Sequence, residues 1–458
     1  MLLRTTLAER QWISFTFRLH RVNTLDLLGF GLVLAVLVLA GRRNATSASA
    51  YLVADRSLGL WPLAISLPFV FLVGLLFYTV TVARSWKRFD RLSVAELFSV
   101  RYHPSMGRLA SALLLLAMTG FSATYVKSLT LIFVPLFPGL STWWLSGLLT
   151  LVVLAVVVRG GLMSIVRSDQ VGFLLTALLL PVLLVIGYVA LRPDALSTAF
   201  PADQLRFAPF AQWNHPALPF RFVTTLIVLT CFTYITAPWY GQKIFAARDE
   251  RTAFVAVGIT AVVIFVLYGT MVLGAAVYRA SAAAPLDNPE TVVPAMITAW
   301  LPAGLRGVGI ATLFTAAMTT LAGVWSAMAA MLNADFRLAL SVRGQRLAMF
   351  GMAVLCWLGA NLLVDDFLHR LILANIPVAA LAFALLAEFH WPRAATAGAW
   401  ASVVVGVVLG VVWGVGCFLV VGEAGGYTWA WAMYGIPLIF ATGIVVSLLT
   451  PRPVVLRT

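Results

Sequence analysis

The run "TAAMTTLAG" at residues 315–323 sets two adjacent hydroxyls, Thr319 and Thr320, inside a long apolar stretch. A threonine in a membrane helix can satisfy itself by bonding back to the carbonyl at i−4, and the pair then does nothing more. The other reading is that the pair serves a ligand. Lys127, in "GFSATYVKSLTLIF", is a second oddity. A lysine within a span is costly and marks function by default. It lies about 13 Å of helix rise from the outer end, close enough to snorkel to the surface. Otherwise its ammonium could bind a substrate carboxylate, or carry a proton once desolvated. "CFTYITAPWYGQK" groups Tyr234, Trp239 and Tyr240 around Pro238, as interfacial aromatics would be grouped. Asn361 and Asn375 are polar within apolar runs, and Asn375 precedes Pro377, where a kink frees carbonyls. Asp169 reads as a helix-start acid. Asp365, Asp366, His369 and Arg370 read as a solvated turn.

No paired carboxylates or histidine cluster face one another at helical spacing, so the chain does not read as an enzyme. Cys231, Cys356 and Cys417 are far apart in apolar runs and suggest neither disulfides nor a metal site. No Walker-type loop is present, which argues against an ATP-driven subunit. No resident cofactor is expected.

These residues must be positioned by membrane helices. The chain is 62% hydrophobic and 10% charged, against roughly 25% charged in a soluble domain. Apolar runs long enough to cross a bilayer recur throughout. The expectation is an all-α polytopic membrane protein of twelve spans, near 25–41, 60–83, 109–136, 142–158, 165–191, 220–242, 252–278, 304–333, 346–364, 367–387, 395–421 and 428–449. Residues 25–450 form one transmembrane domain, 451–458 a cytoplasmic tail, and 1–24 an amphipathic segment along the inner leaflet rather than a cleaved leader. The net charge of +14 falls mostly in alternate loops, as the positive-inside rule requires, so the partner is membrane lipid and not nucleic acid. With the N-terminus inside, 21 Lys/Arg are cytoplasmic and nine are outside. Both termini are then cytoplasmic, in a bacterial inner membrane. Segment 42–59 fits worst, because it holds Arg42, Arg43 and Arg56 yet is placed outside. An amphipathic helix is expected within 285–303, and another in "RLSVAELFSVRYHPSMGR", with Ser93 as N-cap and Glu96 three residues on.

Six stretches in order resemble the sodium/solute symporter family: "YLVADRSLGLWPLAISL" (51–67), "RLSVAELFSVRYHPSMGRLASALLL", "GGLMSIVRSDQVGFLLTALLLPVLLV" (160–185), "PWYGQKIFAARDERTAF" (238–254), "LPAGLRGVGIATLFTAAMTTLAGVWSAMAAMLNADF" (301–336) and "EFHWPRAATAGAWASVVVGVVLG" (388–410). The resemblance implies a LeuT-like inverted-repeat core with sites at broken helices near the midplane. It implies secondary transport of a small organic solute by alternating access, with Na⁺ or H⁺ as the coupling ion. It carries an ion site over to Ala316, Thr319 and Thr320, completed by backbone near Phe69 and Leu72, and a gate to Trp239. Tyr234, Tyr240, Lys127 and Asn375 join it as substrate-side candidates.

One departure matters. Only about 34 residues separate "DRSLG" from "RLSVAEL", which is room for one span where the family has two. One core helix is missing or merged. Alternatively 60–83 is a re-entrant hairpin broken at Pro68, which would return Arg42, Arg43 and Arg56 to the cytoplasm. A degenerate transporter, acting as a sensor or as the membrane subunit of a complex whose partner supplies the lost helix, is the second expectation.

Overall fold

The computed structural model describes residues 23–40, 72–137, 139–158, 161–192, 195–199, 213, 220–281, 286, 291–338, 340–364, 367–421 and 431–451. Regular structure in them is helical throughout. The helices are α1 (Thr24–Ala40), α2 (Leu72–Thr81), α3 (Ala83–Phe89), α4 (Glu96–Arg101), α5 (Pro104–Phe133), α6 (Thr142–Val157), α7 (Gly161–Val189), α8 (Ala195–Ala199) and α9 (Phe220–Tyr234). They continue with α10 (Pro238–Phe245), α11 (Glu250–Ser281), α12 (Val292–Trp300), α13 (Leu305–Asp335), α14 (Val342–Leu362), α15 (Phe367–Ala380), α16 (Ala382–His390), α17 (Thr396–Val421) and α18 (Trp431–Leu449). Among the described residues, seven helices are long and apolar enough to cross a membrane, and four shorter ones are apolar.

The ends follow local chemistry. Pro104 opens α5 at its first turn, and His103 accepts from the Ser105 amide, a placement where a missing N–H costs nothing. Ser341 caps α14 by accepting from Gly344. Asp249 caps α11 through the Thr252 amide at 2.7 Å. That backbone bond, with help from Arg248, holds its carboxyl down at about 2. Three helices are broken in two: α2/α3 at Val82, α9/α10 just before Pro238, and α15/α16 at Leu381.

Of the seven long apolar helices the most enclosed is α13, which is buried from Leu321 through Met331. Small residues let its neighbours in close, as is common between membrane helices. A methyl group on Gly172 of α7 would lie 2.6 Å from the Thr315 methyl, and one on Gly307 would strike the Asp26 backbone.

One face of the bundle is tied together by polar groups. Arg88 pairs with Glu250 at 2.9 Å, Arg101 pairs with Glu388, and Lys87 reaches Asp90 and the Phe245 carbonyl. Ser93 and Ser111 both donate to Asp335 Oδ2 at 2.7 Å. Ser93 therefore does not cap α4 as expected. Ala95 is the cap residue, and Ser93 accepts the Ala95 amide while its proton goes to Asp335.

The first span corrects the expected alternation. Twelve alternating spans would set the first antiparallel to the eighth. Instead, Asp26 accepts from the Gly304 amide, Gly29 lies against Gly304 and Val308, and Phe30 meets Phe314. Residue numbers rise together along both helices, so α1 and α13 run parallel.

The second span is described from Leu72 onward. It runs towards the face of Glu250: Thr79 lies near Gly258, Arg84 covers Phe254, and Arg88 reaches Glu250. Residues 1–22, 41–71, 365, 366 and 452–458 lie outside the described residues, and with them the N-terminal segment, Phe69, the break at Pro68 and the acidic pair of the outer turn.

Candidate functional site

The hydroxyl pair lies on an open stripe. From Gly309 to Met331, every residue of α13 is buried except Leu313, Ala316, Thr319 and Thr320. At 3.6 residues per turn these four share one side of the helix. Both hydroxyls donate to one acceptor, the Ala316 carbonyl, at 3.3 Å from Thr319 and 3.1 Å from Thr320. Several other threonines back-bond more closely, at 2.7 Å for Thr79, 2.8 Å for Thr130, 2.8 Å for Thr312 and 2.7 Å for Thr315, while Thr233 and Thr236 are as long. One carbonyl serving two donors leaves both weakly bonded. The i−4 bond of the plain reading is present, but it does not exhaust these hydroxyls.

Asp169 of α7 lies one turn from Gly172, which packs on Thr315 of α13, and Asp169 Oδ2 lies 2.8 Å from Lys243 Nζ. Both members of that ion pair are sealed, at 7% and 3% side-chain exposure. Beside it, Gln242 donates to Ser326 of α13 at 3.1 Å. The short helix α10 is thus pinned to α7 and α13 at adjacent residues.

Asp169 and Lys243 were not candidates in the sequence. The reason is their placement at boundaries. A fifth span near 165–191 makes Asp169 a helix-start acid, yet α7 starts at Gly161. A sixth span near 220–242 ends one residue before Lys243, yet α10 runs to Phe245. The signal that could have found them is an acid and a base of opposite charge, each just inside an apolar run.

The aromatic residues near the Pro238 break form a column. Trp239 stacks on Phe121 at 4.8 Å and 23°, and Phe121 meets Tyr125 at 4.8 Å. Tyr240 turns to Tyr234 at 5.3 Å and to Tyr78 at 6.1 Å. The Tyr78 hydroxyl is buried with no partner among the described residues. Phe121, Tyr125 and Tyr234 are half-buried. The column can therefore offer ring faces and phenol groups to an organic molecule.

The remaining candidates are dispersed. Leu72 is half-buried at the start of α2. Asn375 donates to the Leu371 carbonyl at 2.9 Å, one turn back. Asn361 donates to Ser146 and to Trp357 O. Lys127 is half-buried and has no ion-pair partner among the described residues. It shares its side of α5 with Gly120, which packs on Ala374, and Ala123, which packs on Gly359. Phe121 and Tyr125 lie roughly 120–160° around the helix from it.

The fold has known counterparts. The chain is similar in structure to a Na⁺-coupled sialic acid symporter in its substrate-bound outward-open state, with a TM-score of 0.76 and 16% identity, covering 94% of this chain and 98% of that one. A manganese transporter from Eremococcus coleocola superposes with a TM-score of 0.47 and 13% identity, over 93% of this chain and 94% of that one. No curated protein sequence matches the chain. At 16% identity the first likeness establishes the fold, an all-helical inverted-repeat core. The model of the sodium:solute symporter family matches residues 54–406. With more than half of its length matched, this chain belongs to the sodium:solute symporter family and is a secondary transporter of the membrane.

Proposed function

We propose that the chain carries a small organic solute together with a cation held at Ala316, Thr319 and Thr320, by alternating access. The observation that carries this reading is the open stripe of α13, where two weakly bonded hydroxyls face away from packed protein. Oxygen donors without net charge suit a hard monovalent cation such as Na⁺, because they can replace its hydration without leaving a surplus carboxylate buried. Backbone around Phe69 and Leu72 is the proposed second half of the site. The column of Tyr125, Phe121 and Trp239, with Tyr234 and Tyr240, is the proposed solute wall. Asn375 and Lys127 are left out of it: the first bonds its own helix and the second lies on another side of α5. Binding of solute and cation would bias the inward- and outward-facing states.

The membrane is proposed to be the bacterial cytoplasmic membrane. The face carrying Arg88, Arg101 and Arg393 is proposed as the cytoplasmic one by charge, and the end of α18 lies at that face, since Arg393 donates to the Leu448 carbonyl. The start of α1 lies at the opposite face. Segment 60–83 is then the re-entrant alternative, and Arg42, Arg43 and Arg56 become cytoplasmic.

Uptake by reconstituted vesicles tests this, with carboxylates, amino acids and sugars offered under separate sodium and proton gradients. Sodium should drive uptake. Thr319→Ala with Thr320→Ala should lower sodium stimulation by about tenfold or more, equivalent to about 1.4 kcal/mol, while the protein still folds. Uptake indifferent to both gradients, or a double variant that keeps its sodium response, would sink the reading. Solute binding without flux would make the chain a sensor or a membrane subunit.

A further inference from the structure

We infer that the Lys243 ammonium takes the place of a cation next to the Thr319–Thr320 site, neutralising Asp169 where a diffusible ion would otherwise sit. The inference rests on the cation reading of Thr319 for its neighbour, and on the Lys243–Asp169 geometry for itself.

Asp169 lies inside α7 and is sealed from solvent with Lys243 at 2.8 Å. A carboxylate removed from water keeps its charge only with a counter-charge and hydrogen bonds to support it. Here the counter-charge is tethered. The lysine stem passes Gly323 of α13, with Cε 4.0 Å from where a methyl group would stand. Thr319 lies one turn before Gly323 and one turn after Thr315, which packs on Gly172 beside Asp169, so it flanks this pair. Carboxylate and hydroxyl oxygens are what hard metal cations bind, so this place is chemically fit for a cation and is filled by one that cannot leave.

Two consequences follow. A cation at Ala316 and Thr320 needs the lone pairs of Thr319, so the Thr319 proton must point elsewhere, and Asp169, one turn from the Gly172–Thr315 contact, is the acceptor the inference assigns to it. Occupancy of the cation site then strengthens the hydrogen bonding of the carboxylate that Lys243 grips. Lys243 belongs to α10, the half-helix beyond the Pro238 break. Cation binding is thereby communicated to one broken element, and that element cannot swing away without uncovering a buried charge. In this role Lys243 is a positioning residue.

The test is sodium binding by the purified full-length protein, read as the shift of Tm with NaCl at ionic strength held constant with choline chloride. Lys243→Gln leaves the Asp169 carboxylate without its tethered cation. Its sodium midpoint should fall by about tenfold, or its curve should steepen beyond that of the wild type. Lys243→Arg should keep the wild-type curve, and Lys243→Gln with Asp169→Asn should lose the gain. Coincident curves for Lys243→Gln and wild type, or a gain that survives Asp169→Asn, would overturn the inference. Should Lys243→Gln fail to fold in choline, folding in sodium supports the inference and failure in both salts overturns it. A wild type blind to sodium alongside a responsive Lys243→Gln would remove the cation reading of the threonine pair and leave this inference standing.

Discussion

Two lysines lie in or beside apolar runs, and their fates differ because of what each can reach. Lys127 is visible at once as a charge in the middle of a span. Yet its side of α5 carries Gly120 and Ala123, which face α15 and α14, while the stacked rings of Phe121 and Tyr125 lie on another. Lys243 looks like a loop residue until α10 is seen to continue past it. The types of the proposed ion ligands and of Trp239 were legible, since a hydroxyl pair and an aromatic beside a proline stand out in any apolar run. The Asp169–Lys243 pair was not, because a span beginning at 165 makes Asp169 an end residue and one ending at 242 leaves Lys243 outside the membrane. The residue-scale prediction concerns Lys127. Lys127→Gln should leave sodium-driven uptake within about twofold of wild type, the size of a surface substitution. A loss of more than about tenfold would place its ammonium in the transport path after all.

The helix α13 gains its central place through small residues on its partners. Gly172 on α7 is the sharpest case, and it sits one turn from Asp169, so the spacing of α7 and α13 also sets the approach of Asp169 to Thr319. Gly→Ala within a helix ordinarily stabilises by about 1 kcal/mol. At position 172 the sign should reverse, because the new methyl would lie 2.6 Å from the Thr315 Cγ2 atom. Overpacking of this kind costs about 1–3 kcal/mol. Thr315→Ser removes that methyl and keeps the hydroxyl that donates to the Ala311 carbonyl at 2.7 Å. Gly172→Ala should therefore lower Tm and weaken sodium binding, and adding Thr315→Ser should restore both. Additive losses in the double variant would show that the contact is not what holds the two helices in register. Helix extents were legible at this scale from apolar length, and the break before Pro238 from the proline itself. The break at Leu381 had no local signal, since "PVAALAFALLA" reads as one good helix.

At the scale of the whole molecule the open question was direction. The first span is a run of 17 residues with one acid in its first turn, and such a run is as apolar read backwards as forwards. Only packing decides, and the packing is parallel to α13, with the Asp26 carboxylate on the Gly304 amide at 2.8 Å and Phe30 on Phe314 further along. Charge counting has little hold on it, because four arginines precede the span and two follow at once, a near balance in which the positive-inside rule carries little weight. Parity then changes for the whole chain. If α1 and α13 both run inward, the start of α1 and the end of α13 are on opposite sides of the membrane. Asn23 and Arg337 are both exposed and bracket that difference. Asn23→Cys should react with a membrane-impermeant maleimide in intact cells, and Arg337→Cys only after permeabilisation. The described native cysteines, Cys231 and Cys356, are buried, and an unsubstituted chain supplies the background. Labelling of both positions only after permeabilisation would return the start of α1 to the cytoplasm. An antiparallel α1 would then carry Asp26 to the far end of α13, where the Gly304 amide could not be its partner, and Gly307 would lose the backbone contact that keeps its methyl-free surface in use.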